Sequence, residues 1–405
     1  MKDKLNFKRY LILSVGIITM LFAGIIYAWS ILKVPFAEEL GFTKDDLSLN
    51  FTLTMSFFCL GGVLSSQFVR RIGTRLTIAL SGLLAGLGFV LTSFIGESGL
   101  LLLYLTYAVV SGFGIGVAYI VIISTVNSWF PDRKGFSSGA LMMGFGASSL
   151  ILGNLADMLF KTNVGWRSTY VIFGIAIGIV LVVSSFFIYS PDAGTELPAP
   201  KKKKGSRSED FEVRDYKPSE MLRRFTFWRA FLCLVCITAV GNSVISFARD
   251  LALSVGAGAA LATTLVGVLA VCNGLGRIVT GAVFDSMGRR FTMIAANLLT
   301  IAAAAITLLA VSIDSLPLCV IGLCLTGMSY GTSPTVSSAF VVSFYGQKHF
   351  ATNLGMMNFN LMVASFMATA CSALLTATGG YTAPFILLLS LSVVALGLNL
   401  SIKKP

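Results

Sequence analysis

Charge is what this chain has least of. Only 12% of its 405 residues are Asp, Glu, Lys or Arg, about half the share of a typical water-soluble domain. That is too few to cover a surface wetted on all sides. Histidine is scarcer still, because His349 is the only one and it falls in a polar connection. The seven cysteines all lie in apolar stretches. Cys233 and Cys236 form a CxxC with no second pair and no neighbouring histidine, which is not a metal-ligand set and reads as small helix residues. No phosphate-cradling loop of the nucleotide-hydrolysing kind is present, so nucleotide hydrolysis cannot supply a driving force. Gly112, Gly114 and Gly116 in SGFGIGVAY (111–119) have the look of a dinucleotide fingerprint. No βαβ unit can surround them in an apolar helix, so their spacing speaks for close helix packing. With no nucleophile–base pair either, the chain is expected to be no enzyme and to need no cofactor.

What is there is apolar length. Hydrophobic residues make up 56% of the chain and gather into runs of about 20 residues, each enough to cross a ~30 Å hydrocarbon core as a helix. Twelve such runs are expected, near 10–32, 47–69, 76–95, 100–128, 136–160, 167–190, 228–253, 260–284, 291–312, 316–344, 350–376 and 381–402. The first, after MKDKLNFKRY, is too long for a signal-peptide core and has no clean small-x-small site behind it, so it reads as a retained helix. The pattern predicts an all-α membrane protein.

The net charge of +12 does not point to nucleic acid, because its distribution is lopsided. Lys2, Lys4, Lys8 and Arg9 precede the first run. Arg70, Arg71 and Arg75 follow the second, Arg133 and Lys134 the fourth, Arg289 and Arg290 the eighth, and Lys348 the tenth. The alternate connections are poor in cations, Lys161 and Arg167 excepted, and the first holds Glu38, Glu39, Asp45 and Asp46. This is the positive-inside asymmetry, which places both termini in the cytoplasm of a cell-membrane protein.

Between Pro191 and Phe227 the composition turns to charge, Pro and Ser (PDAGTELPAPKKKKGSRSEDFEVRDYKPSE, from 191), as in a solvated linker with little fixed structure. It divides the chain into an N-terminal six-helix bundle over 1–190, a cytoplasmic linker over 191–227, and a C-terminal six-helix bundle over 228–405. The halves echo each other at a spacing of about 214 residues. RRIGTRLTIA (70–79) aligns with DSMGRRFTMIA (285–295), Gly73 on Gly288 and Arg75 on Arg290, while Phe136 aligns with Phe350. Parallel six-helix repeats with a substrate site at their interface describe a large class of transporters.

FDSMGRR resembles the Asp-x-x-Gly-Arg-Arg/Lys loop of the major facilitator superfamily, although Arg70 stands where the first-half copy would have Asp. Within that superfamily YAWS (27–30), GIGVAY (114–119), NSWFPDRKGFSSG (127–139) and NGLGR (273–277) resemble the oxalate/formate antiporter family, itself similar to the monocarboxylate transporters. The resemblance implies twelve helices in two bundles, carriage of carboxylates, and a carboxylate-binding Arg in helix 8. It also implies that Gly73, Arg75, Asp285, Gly288 and Arg290 latch the halves during conformational change.

The residues themselves single out Arg277. Asp285, at the end of the same run, lies eight residues on, which is about 12 Å along a helix. Arg277 is therefore too deep to snorkel comfortably, and a guanidinium cannot escape burial by losing its proton. No span holds a carboxylate at that depth; Asp157 and Asp250 both lie towards the outer ends of theirs. An unpaired planar fork suits a carboxylate that arrives from outside. Oxalate-carrying relatives add a Lys in helix 11, where this chain has NLGMMNFNLMVAS (353–365), with Asn358 and Asn360 but no cation. One fixed charge balances one carboxylate, whereas a dianion would keep an unpaired charge at low dielectric. Asn273 is one turn before Arg277, where monocarboxylate transporters have Asp. It can orient the fork but cannot hold a proton. Tyr27, Trp29, Tyr119 and Tyr330 complete the expected pocket, and Phe145 replaces a family tyrosine. The expectation is a monomeric secondary transporter of small organic anions, foremost monocarboxylates of the lactate, pyruvate or formate type, with a coupling proton or counter-anion. A carrier of a larger amphipathic acid, a dicarboxylate/formate exchanger or a multi-compound exporter is the alternative.

Overall fold

The computed structural model describes residues 2–97, 99–132, 134–192, 194–195, 197–198, 214–346 and 348–402, with residues 2–4, 134, 135, 285 and 351 described by their backbone alone. The KKKK run at 201–204 and most of the expected linker lie outside the described residues. Among the described residues every regular element is helical, and eleven helices are long and apolar enough to cross a membrane. One of them, Lys44–Thr92, has 49 residues, about 74 Å at 1.5 Å per residue. It is broken at Gly73, where φ is +80° and ψ 166°, so it supplies two spans and makes twelve.

We number the spans α1 (Leu5–Glu38), α2 and α3 (44–72 and 74–92), α4 (Leu100–Ser128), α5 (Phe136–Phe160), α6 (Gly165–Phe187), α7 (Phe225–Ser254), α8 (Ala259–Phe284), α9 (Ser286–Ser312), α10 (Leu316–Tyr345), α11 (Thr352–Thr378) and α12 (Thr382–Leu400). An even number of crossings puts both chain ends on one side, here termed the terminal face.

The second-half break repeats the first. Gly288, between α8 and α9, has φ +78° and ψ 176°, in the same backbone region as Gly73. That backbone region is open essentially only to glycine, and no atom would meet a Cβ at either position. The glycines are there for their backbone angles, not for room.

Polar anchors fix the terminal face. The Arg9 guanidinium donates to the Trp129 carbonyl at 2.8 Å and pairs with Asp132, tying the start of α1 to the WFPD loop. Lys8 lies over the Trp129 and Tyr189 rings, and Arg75 lies 5.1 Å from the Tyr189 centroid. The end of the expected linker is ordered rather than loose. Tyr216 donates from its backbone to the Tyr345 carbonyl and accepts from the Asn353 amide, and Lys348 N donates to Asp215. Pro218–Leu222 then forms a short helix, with Glu220 bonding back to the Lys217 N–H. That bond holds the Glu220 carboxyl below its ordinary value.

Departures from α-helix gather at membrane depth. Gly24–Ala28 of α1 is wound as a 3₁₀ turn, Tyr104–Ser111 of α4 and Ser149–Gly153 of α5 as π turns, α7 breaks at Phe247, and Pro334 interrupts α10. Irregular backbone in a bilayer survives only where protein or a water-filled cavity satisfies it, and all five of these helices border the site described next.

Candidate functional site

Arg277 sits on α8 two helical turns from the terminal end of that helix, with 1% of its surface exposed. Gly331 of α10 makes the position possible. A Cβ there would collide with the Asn273 carbonyl and crowd the Arg277 amide, so only glycine lets α10 pack this close to α8. The Arg277 Nε donates to Asn273 Oδ1 at 3.1 Å, and Nη1 donates to the Met142 carbonyl of α5 at 3.3 Å. No carboxylate among the described residues lies within 4.0 Å of the guanidinium. Asp250 is paired with Lys33, and Asp157 with Lys161. Two of five donors are therefore engaged by protein, and both acceptors are neutral.

Arg277 borders a cavity of about 460 Å³ that extends from it towards the terminal face. Its walls come from both halves of the chain. Ser124, Asn127 and Ser128 of α4 and Ser138, Gly139 and Met142 of α5 face Gly281 and Phe284 of α8, Thr335 to Ser343 of α10, and Phe350. The polar wall is internally bonded, for Asn127 donates to Ser138 Oγ and accepts from Ser137 Oγ, both at 2.7 Å. Among the described residues no carboxylate matches the Arg277 charge.

On the other side of Arg277 the chain closes. Tyr27 and Tyr330 join hydroxyls at 3.0 Å across the halves. Phe145 stands edge-on to Tyr27 and to Tyr119, both at 5.1 Å, and Tyr119 also meets Phe58. Beyond this aromatic plug is a second space of about 10 Å³, bordered by Tyr27, Ser149 and Asn273, room for about one oxygen atom. The Ser149 hydroxyl and the Asn273 amide nitrogen are buried and have no hydrogen-bond partner. Asn273 thus bridges two environments, its oxygen on the arginine and its nitrogen towards this space.

The expected site residues separate into those that meet and those that do not. Arg277, Asn273, Tyr27, Tyr119 and Tyr330 converge. Trp29 does not join them: its indole donates to the Leu47 carbonyl and packs on Phe36 and Tyr107 inside the first half. Asn360 is taken up by Thr238, at 3.2 Å, and by the Met357 carbonyl, while Asn358 accepts from Cys59 Sγ through its backbone. Arg75 packs on Tyr189, and Arg290 borders a separate pocket between α9 and α12. Both lie on the terminal face, away from Arg277. The Asp285 side chain lies outside the described residues.

Ser149, Met142 and Asn127 were not singled out from the sequence. A backbone carbonyl carries no sequence signal, and a serine in SSLILGN looks like any small helix residue. Only the π turn that begins at Ser149 marks it, since such turns are frequent at functional sites. Asn127 and Ser138 did fall inside the NSWFPDRKGFSSG segment.

A family model for the Major Facilitator Superfamily matches residues 11–369. The chain belongs to the major facilitator superfamily. It is accordingly a multi-pass membrane transporter of small solutes and not an enzyme. Its fold matches that of the proton:xylose symporter XylE bound to 6-bromo-6-deoxy-D-glucose, with a TM-score of 0.71, 12% identity, and coverage of 100% of this chain and 97% of that one. At such identity the likeness concerns the fold alone. Among sequence relatives, the MFS-type transporter YhjX of Escherichia coli strain K12 is 26% identical over 88% of this chain and 86% of its own. The oxalate:formate antiporter of Oxalobacter formigenes is 24% identical over 96% and 90%, and monocarboxylate transporter 12 of Rattus norvegicus 27% identical over 87% and 75%.

Proposed function

We propose that this superfamily member is a secondary active carrier of small monocarboxylates, of the lactate, pyruvate or formate type, and that Arg277 binds the carboxylate at the interface of two rocking six-helix bundles. The observation that carries the reading is the Arg277 guanidinium at the apex of an inter-half cavity with no carboxylate of its own. A permanent charge at that depth is tolerable facing water or an anion and costly otherwise. The relatives that transport carboxylates by name support the class of solute.

A single fixed cation selects a single negative charge. The dicarboxylate option is disfavoured because α11 brings no lysine to the cavity, and Asn360 is occupied elsewhere. Asn273 orients the fork without carrying a proton, so any coupling proton must reside on another group. We place the protein in the cell membrane with both termini and the 191–227 linker in the cytoplasm, on the cation asymmetry, so the cavity opens inward. A larger amphipathic acid is the second reading. It rests on the apolar cavity walls at Met142, Phe284, Val342 and Phe350.

Proteoliposome uptake of a labelled short acid, competed by unlabelled mono- and dicarboxylates and by longer acids, separates these readings. Arg277→Lys keeps the charge and loses the fork, at roughly 1.5–3 kcal/mol for a charged hydrogen bond, or one to two decades in affinity. Arg277→Ala abolishes transport yet expresses normally, because no buried carboxylate is orphaned. Near-normal binding by the Ala variant overturns the assignment.

A further inference from the structure

A second arginine is enclosed on the far side of the aromatic plug. Arg249 of α7 is 9% exposed, and its Nε is buried with no hydrogen-bond partner. It stands five residues from the end of α7 at the face opposite the terminal one, about 8 Å along the helix, whereas Arg277 stands about 27 Å from that face on α8. Their levels thus differ by roughly 20 Å. Every acidic side chain of that face is described, and none lies within 4.0 Å of Arg249. Its neighbour Asp250 is committed to Lys33 at 2.7 Å, and Asp157 to Lys161. Of the three guanidinium nitrogens only Nε is fully enclosed, so the two terminal nitrogens, equally unpartnered, reach solvent-accessible space.

The residue belongs to the seam between the halves. Ile245 and Ala248, four residues and one residue before it, border the small space shared with Tyr27 and Ser149 of the first half. Ser246 and Asp250 receive Lys33 of α1, the first through its carbonyl at 3.0 Å and the second through its carboxylate. Arg249 stands between these two sets of contacts, beside the break of α7 at Phe247. Lys33 and Arg249 against Asp250 leave the seam one positive charge in excess. A guanidinium cannot shed its proton to escape enclosure, and a buried charge that serves only as a strut carries partners of its own. An unmatched one kept at the seam suits an anion that passes through it.

We propose that Arg249 is the contact through which the transported carboxylate enters or leaves at the face opposite the terminal one. The inference rests on the carboxylate reading of Arg277 and adds a second anion contact to the same path. While that face is closed, Asp250 holds Lys33 and the first half covers Arg249. When the halves part there, Lys33 withdraws with α1, and Arg249 stays on α7 at the edge of the gap. The carboxylate then passes between two guanidiniums of the second half, each with a fork to receive it. Neither has a resident acid to compete with the solute.

The test is exchange of labelled formate, lactate or pyruvate by the full-length carrier in vesicles of both orientations, with the opposite side saturated. Half-saturation is then read separately at each face. Arg249→Gln should raise it about tenfold at the face opposite the terminal one, the worth of one charge-assisted hydrogen bond, and less than twofold at the terminal face. Arg249→Lys should recover most of that loss, because charge alone still draws the anion. Thermal unfolding tells a solute contact from a strut: Arg249→Gln should melt no lower than wild type, since an unmatched enclosed charge is removed. Arg277→Lys, by contrast, should weaken half-saturation at both faces. Equal effects of Arg249→Gln at the two faces, no effect at either, or its failure to fold overturns the inference. A normal response to Arg277→Lys beside any of these leaves the carboxylate reading standing. Exchange of none of the three acids by wild type, or indifference to both arginine variants, overturns that reading and this inference with it.

Discussion

The two faces of the molecule are held in different ways. On the face away from the termini, contacts run directly between the first six and last six spans. Lys33 of α1 donates to Asp250 at 2.7 Å and to the Ser246 carbonyl at 3.0 Å, beside the break of α7 at Phe247. Thr52 of α2 bonds the Ser365 carbonyl and the Thr369 hydroxyl of α11, both at 2.8 Å, and Ser372 donates to Asp45 at 2.7 Å. On the terminal face the anchors stay within a half. Arg9 meets the WFPD loop, Arg75 meets Tyr189, Arg289 meets Phe344, and Tyr216 meets Tyr345. The described hydrogen bonds between halves lie at the level of Arg277 or beyond it, and the cavity lies on the side they leave free. The comparison teaches which contacts must break and which must form if the site is to change sides. We propose that the closed face is a lock of a few specific bonds, and that the glycine-hinged loops of the other face engage when it opens.

The comparison can be broken most severely at the lock. Asp250→Asn leaves the Lys33 ammonium, 10% exposed, without its counter-charge. Turnover is expected to change about tenfold with a smaller change in substrate affinity, and Lys33→Met combined with Asp250→Asn should recover most of the loss. Uptake kinetics over a substrate series check this. Equal losses in the single and double variants would remove the pair from the lock.

A second test sharpens the open side. Met142 borders the cavity beside Arg277, whereas Leu361 is not among its lining residues and packs in the apolar core, its carbonyl held by Asn242. Met142→Lys should raise dicarboxylate over monocarboxylate competition several-fold, because the added cation meets the second charge. Leu361→Lys should instead lower expression and melting temperature, having no water to reach. A dicarboxylate gain from Leu361→Lys would redraw the cavity wall.

Smaller effects are expected at the hinges. Gly73→Ala and Gly288→Ala force a side chain into a glycine-only region, at about 1–3 kcal/mol each. The two losses of thermal stability should match, because the geometries match and neither site is crowded. A loss at one alone would mean the repeats are not mechanically equivalent. The smallest effect is at the plug, where Tyr27→Phe removes the hydroxyl pair with Tyr330 but keeps the edge-on ring contacts. It should cost about 1 kcal/mol, read as a modest rise in access to the cavity from the far side.

How much of this was legible in the sequence depends on the kind of residue. The break at Gly288 was readable because FDSMGRR recurs at a fixed spacing with Gly73, and only glycine takes those angles. Arg277 was readable because a charge in an apolar run has no local explanation. Tyr27, Tyr119 and Tyr330 were readable only as a set, and Trp29, which looked equivalent, turned into the first-half core. Its burial against Phe36 and Tyr107 depends on how α1 is rotated after the 3₁₀ turn, and hydropathy does not report that angle.

By itself, then, the sequence determined the number of crossings, the repeated halves and the depth of the unpaired arginine, because each follows from local composition and from the thickness of a bilayer. Tertiary structure alone decided what surrounds that charge. The Met142 carbonyl, the space shared by Ser149 and Asn273 and the Lys33–Asp250 lock each join residues far apart in the chain. Inside a membrane all faces of a helix are apolar enough to pass for one another. Which face meets which neighbour is settled by glycine-sized contacts and hydrogen bonds between helices, and those exist only once the helices are packed.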